Sequence, residues 1–137
     1  MSRGFPVFGS GTMRAVLCAG PLAFKVARSK RGARCNRYEA DLYKRSSQVR
    51  RALLCPPLWC SRGGLLLVMR RARPMTQSEY IEHVRNTNLM LAWDYRGPGD
   101  DGSPFEPKPL DWGWLDGRPV ALDYANLENV PCGGADY

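Results

Sequence analysis

Apolar and polar positions fall into short blocks along this chain. Residues 5–28 read as strands: Met13 to Cys18 is one apolar run, Leu22 to Ala27 another, and Ala19-Gly20-Pro21 between them predicts a tight turn. Gly9-Ser10-Gly11 predicts the tip of a preceding turn. Ser29 to Cys35 is basic, contains glycine and predicts a loop. Asn36 is a candidate cap for a helix reaching about Leu53, with Tyr38, Leu42, Val49 and Leu53 at roughly helical spacing. Pro56-Pro57 end it, Leu58 to Cys60 predicts a strand, Ser61 to Gly64 a turn, and Leu65 to Met69 a fully apolar strand. Arg70 to Pro74 is a connector. Thr76 and Glu79 have the spacing of a capping box, opening a helix to about Leu91. Gly97 to Pro109 is rich in Gly, Pro and Asp and predicts a loop. Trp112 to Leu115 and Pro119 to Leu122 flank Asp116-Gly117, a strong hairpin signal. The order β-β-α-β-β, then helix, loop and β-hairpin, predicts an α+β fold.

At 137 residues the chain is expected to form a single compact domain with a real core. The net charge of +7 hides a division. Residues 1–75 hold 16 of the 20 Lys and Arg against Glu39 and Asp41 alone, whereas residues 76–137 hold 4 basic and 11 acidic side chains. A basic surface of that kind attracts polyanions, so nucleic acid or an acidic protein surface is a candidate partner for Arg28, Lys30, Arg31, Arg34, Arg37, Arg45, Arg50 and Arg51. The five cysteines are an odd number, and Cys55 and Cys60 lack the spacing of a common zinc site, so reduced thiols and a cytoplasmic location are expected. His83, the one histidine, lies in a helical pattern and reads as a surface or packing residue. No apolar run has the length needed to cross a bilayer, and no membrane association is expected.

Candidate chemistry sits at five places. Gly9-Ser10-Gly11-Thr12-Met13-Arg14-Ala15-Val16 resembles the Gly-rich loop of protein kinases, with Gly9, Gly11 and Val16 matching and Arg14 in place of the third glycine. Arg14 would crowd a phosphate there, or contact it through its charge. Ala23-Phe24-Lys25 resembles the strand motif V-A-I-K. Lys25 is the one charge in its apolar strand and needs an anionic partner if buried; Glu39 is the natural one and Asp41 a weaker one. Leu65 to Met69, leading into Arg70, Arg71 and Ala72, is similar to the strand and hinge that hold adenine. Glu106-Pro107-Lys108-Pro109-Leu110-Asp111 resembles the catalytic loop D-L-K-P-E-N, with Glu106 in place of the loop Asp and Asp111 in place of the Asn. Asp123-Tyr124-Ala125 resembles D-F-G. A rival register takes Asp111-Trp112-Gly113 as that triplet with Asp94 as the loop acid; it leaves the hairpin's second strand unexplained.

The resemblance implies a pared-down, protein-kinase-like domain: an N-lobe-like antiparallel sheet with one packed helix over residues 8–75, a minimal C-lobe over 76–125 and a tail over 126–137. It implies ATP and Mg²⁺ as cofactors, with Gly9, Gly11, Val16, Lys25 and Glu39 around the nucleotide and Asp111 and Asp123 on the metal. Glu106, Lys108 and Asp123 are the implied catalytic set. Only twelve residues follow Ala125, too few for the segment that binds a peptide acceptor, so the expected function is a pseudokinase-type nucleotide-binding or scaffold module with weak or no phosphotransfer. The alternative is a small basic, non-enzymatic interaction protein of the kind phages carry, binding nucleic acid or blocking a host complex.

Overall fold

The structure is a computed structural model, describing residues 13–93, 104–106 and 108–125. The described chain divides into two units, one of residues 13–45 and 56–71, the other of residues 46–55 and 72–125. The sequence pattern placed that boundary after residue 75 and put residues 46–55 with the first part.

The first unit is a four-stranded antiparallel sheet carrying one long helix. Strands β1 (Arg14–Ala19) and β2 (Leu22–Ala27) pair through the two-residue turn Gly20-Pro21, and Gly20 supplies the positive φ of 55° that the turn requires. Helix α1 (Lys30–Arg45) follows, and then, past a helix that belongs to the second unit, come β3 (Pro57–Cys60) and β4 (Leu66–Arg70). The strand order is β1-β2-β4-β3, so the chain leaves the sheet after β2, runs through α1 and returns at the far edge. In register, Val16 stands opposite Lys25, and Lys25 opposite Leu67. Side chains alternate across a sheet, so Arg14, Val16, Ala23, Lys25, Leu67 and Met69 share one face, and α1 lies on it. Tyr38, Leu42, Cys35, Leu67 and Met69 are fully or almost fully buried there.

Helix α1 begins seven residues earlier than the pattern suggested. Ser29 Oγ accepts from the Gly32 N–H at 3.1 Å and so satisfies one of the free donors of the first turn. Asn36, expected as the cap, is instead a buried mid-helix residue. The expected loop over Ser29 to Cys35 is therefore mostly helix, and the helix stops at Arg45 rather than near Leu53. Ser47 then caps a separate short helix α2 (Gln48–Arg51), accepting from the Arg50 N–H at 3.3 Å.

The second unit holds α2 and a three-stranded sheet, β5 (Arg73–Pro74), β6 (Trp112–Leu115) and β7 (Arg118–Ala121), in the order β5-β6-β7. Asp116 and Gly117 close the β6–β7 hairpin with φ of 53° and 79°, the paired positive values that an Asp-Gly turn favours. The capping box is present: Thr76 Oγ1 accepts from the Glu79 N–H, and the Glu79 carboxylate accepts from the Thr76 N–H. It opens α3 (Gln77–Tyr80), but the single helix expected to Leu91 is broken into a π-helical turn (Ile81–Arg85) and a 3₁₀ turn (Leu89–Ala92). Asn88 between them takes a left-handed φ of 54°. Trp93 and Phe105 meet edge to face in this unit's core and Phe105 meets Trp112 at a tilt, with Leu54, Val84, Val120 and Tyr124 fully buried. Tyr124 Oη donates to the Cys55 carbonyl at 2.8 Å. The chain is thus α+β, an antiparallel N-terminal sheet with one packed helix followed by short helices and a small second sheet. No helix among the described residues is long and apolar enough to cross a membrane.

Candidate functional site

In the first unit, polar chemistry concentrates under α1. Glu39 has no exposed surface, and both its oxygens are engaged. Lys25 Nζ donates to Oε1 at 2.8 Å, Arg14 Nη1 donates to the same oxygen at 2.8 Å, and Arg14 Nη2 donates to Oε2 at 3.3 Å. The sequence placed Glu39 opposite Lys25 correctly. It did not give Arg14 this role: the guanidinium expected to crowd or touch a phosphate is turned inward and buried. The reason is positional, since Arg14 lies two residues from Val16 and therefore on the Lys25 face. Asp41, the weaker candidate partner, bonds Arg45 on the helix exterior at 3.0 Å instead.

Burial alone would raise the Glu39 pKa, but the charges of Arg14 and then Lys25, with their hydrogen bonds, overturn that and hold it at about 2. Glu39 is therefore ionised at neutral pH, and two cations surround one anion. Asn36 completes the cluster. Its Oδ1 accepts from Arg14 Nη1 at 3.1 Å, and its Nδ2 donates to the carbonyls of Lys25 at 3.0 Å and Gly64 at 2.8 Å. Nothing in the one-dimensional pattern marks this residue, because its partners are 11 to 28 positions away.

Gly9 and Gly11 lie outside the described residues, as do Asp94 and Pro107. Val16 occupies β1 directly opposite Lys25, as a residue lining the same face must. The connector expected to offer backbone groups to a base is partly committed: the Arg70 N–H donates to the Pro56 carbonyl at 3.1 Å and the Arg71 N–H to the Pro21 carbonyl at 2.8 Å.

In the second unit the acidic candidates gather near Lys108. Lys108 Nζ lies 3.3 Å from Glu106 Oε2, and both side chains are largely exposed. The Lys108 pKa is raised, first by that hydrogen bond and the Glu106 charge, then by Asp111 and more weakly by Asp123. The loop and the D-x-x triplet thus share one electrostatic neighbourhood. The backbone ties them as well, since the Leu122 N–H donates to the Asp111 carbonyl at 2.7 Å. Asp123 is exposed, and its Oδ1 accepts from the Ala125 N–H at 3.4 Å. Trp112 and Gly113 are paired hairpin residues of β6, whereas Asp123 follows the end of β7. Among the described residues, no three His, Cys, Asp or Glu side chains gather closely enough to hold a metal ion by themselves. His83 packs edge-on against Trp114 at 4.8 Å, the packing role expected of it.

No family model matches the sequence, and no curated protein matches it. Among solved structures, the fold is similar to a choline/ethanolamine kinase family protein from Mesorhizobium loti, with 10% identity and a TM-score of 0.49. The match covers 88% of this chain and 57% of that one, so the chain spans little more than half of that protein's length. At that identity and score the likeness decides nothing about activity.

Proposed function

We propose that the chain is a kinase-like nucleotide-binding or scaffold module with weak or no phosphotransfer. The observation that carries this proposal is the buried Lys25–Glu39 pair, a strand lysine held at 2.8 Å by a helix carboxylate. Burying a lysine is unfavourable unless an anion accompanies it, and apolar residues of equal volume would serve stability as well. An oriented ammonium on a sheet face suits a phosphate group. The strand order β1-β2-β4-β3, with the helix that carries Glu39 inserted after the lysine strand, supports the kinase-like reading of that ammonium.

In this proposal Lys25 holds nucleotide phosphate, Glu39 orients Lys25, and Arg14 fixes Glu39 so that the helix does not need an outside signal to bring its carboxylate in. Asp111 and Asp123 supply the hard oxygen donors that Mg²⁺ prefers, and that ion usually completes its shell with water and phosphate oxygens, so two carboxylates suffice. Glu106 is a poor base in the position of the loop Asp. It is one methylene too long, a misplacement of roughly 1 Å that costs about a hundredfold in rate, and Lys108 already engages it.

Thermal unfolding with ATP, with and without Mg²⁺, tests the proposal. Occupancy at a hundred times the dissociation constant adds about 2.7 kcal/mol. Lys25→Met should abolish the shift, and Asp123→Asn should remove its Mg²⁺-dependent part. No shift at millimolar ATP would leave the fold without the ligand.

A further inference from the structure

Away from the Glu39 cluster, the first unit carries an open groove of about 630 Å³ beside the N-terminal half of α1. Its charged lining comprises Arg28, Lys30, Arg34 and Arg37, and no carboxylate lines it. Lys30, Arg34 and Arg37 follow helical spacing, so they project from one face of α1, and Arg28 joins them from the end of β2. Arg37 is steadied by donating to the Gly63 carbonyl at 2.7 Å. Arg28, Lys30 and Arg34 are exposed and have no carboxylate partner among the described residues. Like charges at i, i+4 oppose one another, so this face is strained electrostatically until an anion enters.

Part of the charge expected on the basic half is committed elsewhere, while Arg31, Lys44, Arg62 and Arg71 are exposed outside the groove. Arg45 bonds Asp41, Arg14 is buried on Glu39, and Arg50 is buried with its guanidinium 4.4 Å from the Trp93 ring. Within that basic surface the groove gathers four cations over a definite floor. That floor is hydrocarbon: Ala33 lines it, and Leu65 stands 66% exposed at its edge. No aromatic ring lines it, so nucleic-acid bases find no stacking platform there. A phosphodiester backbone gains nothing from exposed leucine, whereas a polypeptide with carboxylates flanking an apolar side chain uses both features.

We propose that this groove binds an acidic polypeptide segment of a partner protein, with an apolar residue of that segment seated against Leu65 and carboxylates paired with Arg28, Lys30, Arg34 and Arg37. Fluorescence anisotropy on the full chain tests it with three labelled probes: a short peptide repeating Glu-Glu-Leu, an all-Glu peptide of equal length, and an oligothymidylate. The Glu-Glu-Leu peptide should bind most tightly. The double variant Arg28→Glu, Arg34→Glu should weaken it at least about tenfold, while Arg85→Glu, a charge reversal in the other unit, should leave it unchanged. Leu65→Ser, a change at an exposed site, should reduce affinity for the Glu-Glu-Leu peptide and not for the all-Glu peptide, which keeps the test decisive even where the double variant is unstable. Tighter binding of the oligothymidylate, equal weakening by Arg85→Glu, or no peptide binding would overturn the proposal.

Discussion

Glu39→Gln is the substitution that most directly probes how the first unit is held together. The amide has the shape of the carboxylate but no charge, so Lys25 and Arg14 are left buried without their counter-ion. Removing one member of a buried charge cluster costs about 3–5 kcal/mol, against a total stability of roughly 5–15 kcal/mol for a domain. Lys25→Met is different. Glu39 keeps two hydrogen bonds from Arg14, at 2.8 and 3.3 Å, and the new side chain packs among Val16 and Leu67. Its cost should be nearer one charge-assisted hydrogen bond, about 1–2 kcal/mol. In urea, with a slope of roughly 1.5 kcal/mol per molar, Glu39→Gln should lower the midpoint by about 2–3 M and Lys25→Met by about 1 M. Two midpoints within about 0.5 M of each other, or a larger loss for Lys25→Met, would show that Glu39 is not the shared anchor of two cations. The pH dependence gives an independent check. A carboxylate whose folded pKa is about 2, below its ordinary 4.5, contributes stability that is fully present above about pH 4.5 and is lost as pH falls toward 2. Wild type should therefore approach Glu39→Gln in stability on acidification through that window, and a gap that stays constant to pH 2 would contradict the assignment.

Four further outcomes are expected. Tyr124→Phe removes a hydrogen bond to the buried Cys55 carbonyl and should cost about 1 kcal/mol, read as a drop of several degrees in Tm. Gly64→Ala should cost at least about 2 kcal/mol in urea titration, because φ is 81° there and the added carbon meets the Ala33 carbonyl. Gly63→Ala, with open space around it, should be nearly neutral by the same measurement. Thr76→Ala removes the N-cap of α3 and should cost about 1 kcal/mol by chemical denaturation.

Local chemistry was legible wherever it is settled by neighbours in sequence. The pair β1 and β2 followed from two apolar runs around Gly20-Pro21, the β6–β7 hairpin from Asp116-Gly117, and the start of α3 from Thr76 and Glu79. The Lys25–Glu39 pair was also readable, because a lone lysine in an apolar strand needs a buried anion and the basic half offers only two acids. Asn36 was misread because an asparagine at a helix boundary and one in a helix interior look alike in one dimension. Only the approach of the Lys25 and Gly64 carbonyls makes the interior position favourable.

The sequence by itself determined most of the strands, their turns, the start of α3 and the sign of the charge on each half, since these depend on spacing and on backbone geometry within a few residues. Tertiary structure decided what each charge does. It turned Arg14 and Arg50 inward, paired Arg45 on the helix surface, and left Arg28, Lys30, Arg34 and Arg37 around an open groove. The physical reason is that the worth of a charge depends on its solvent exposure and its partners, and both are set by residues far away along the chain.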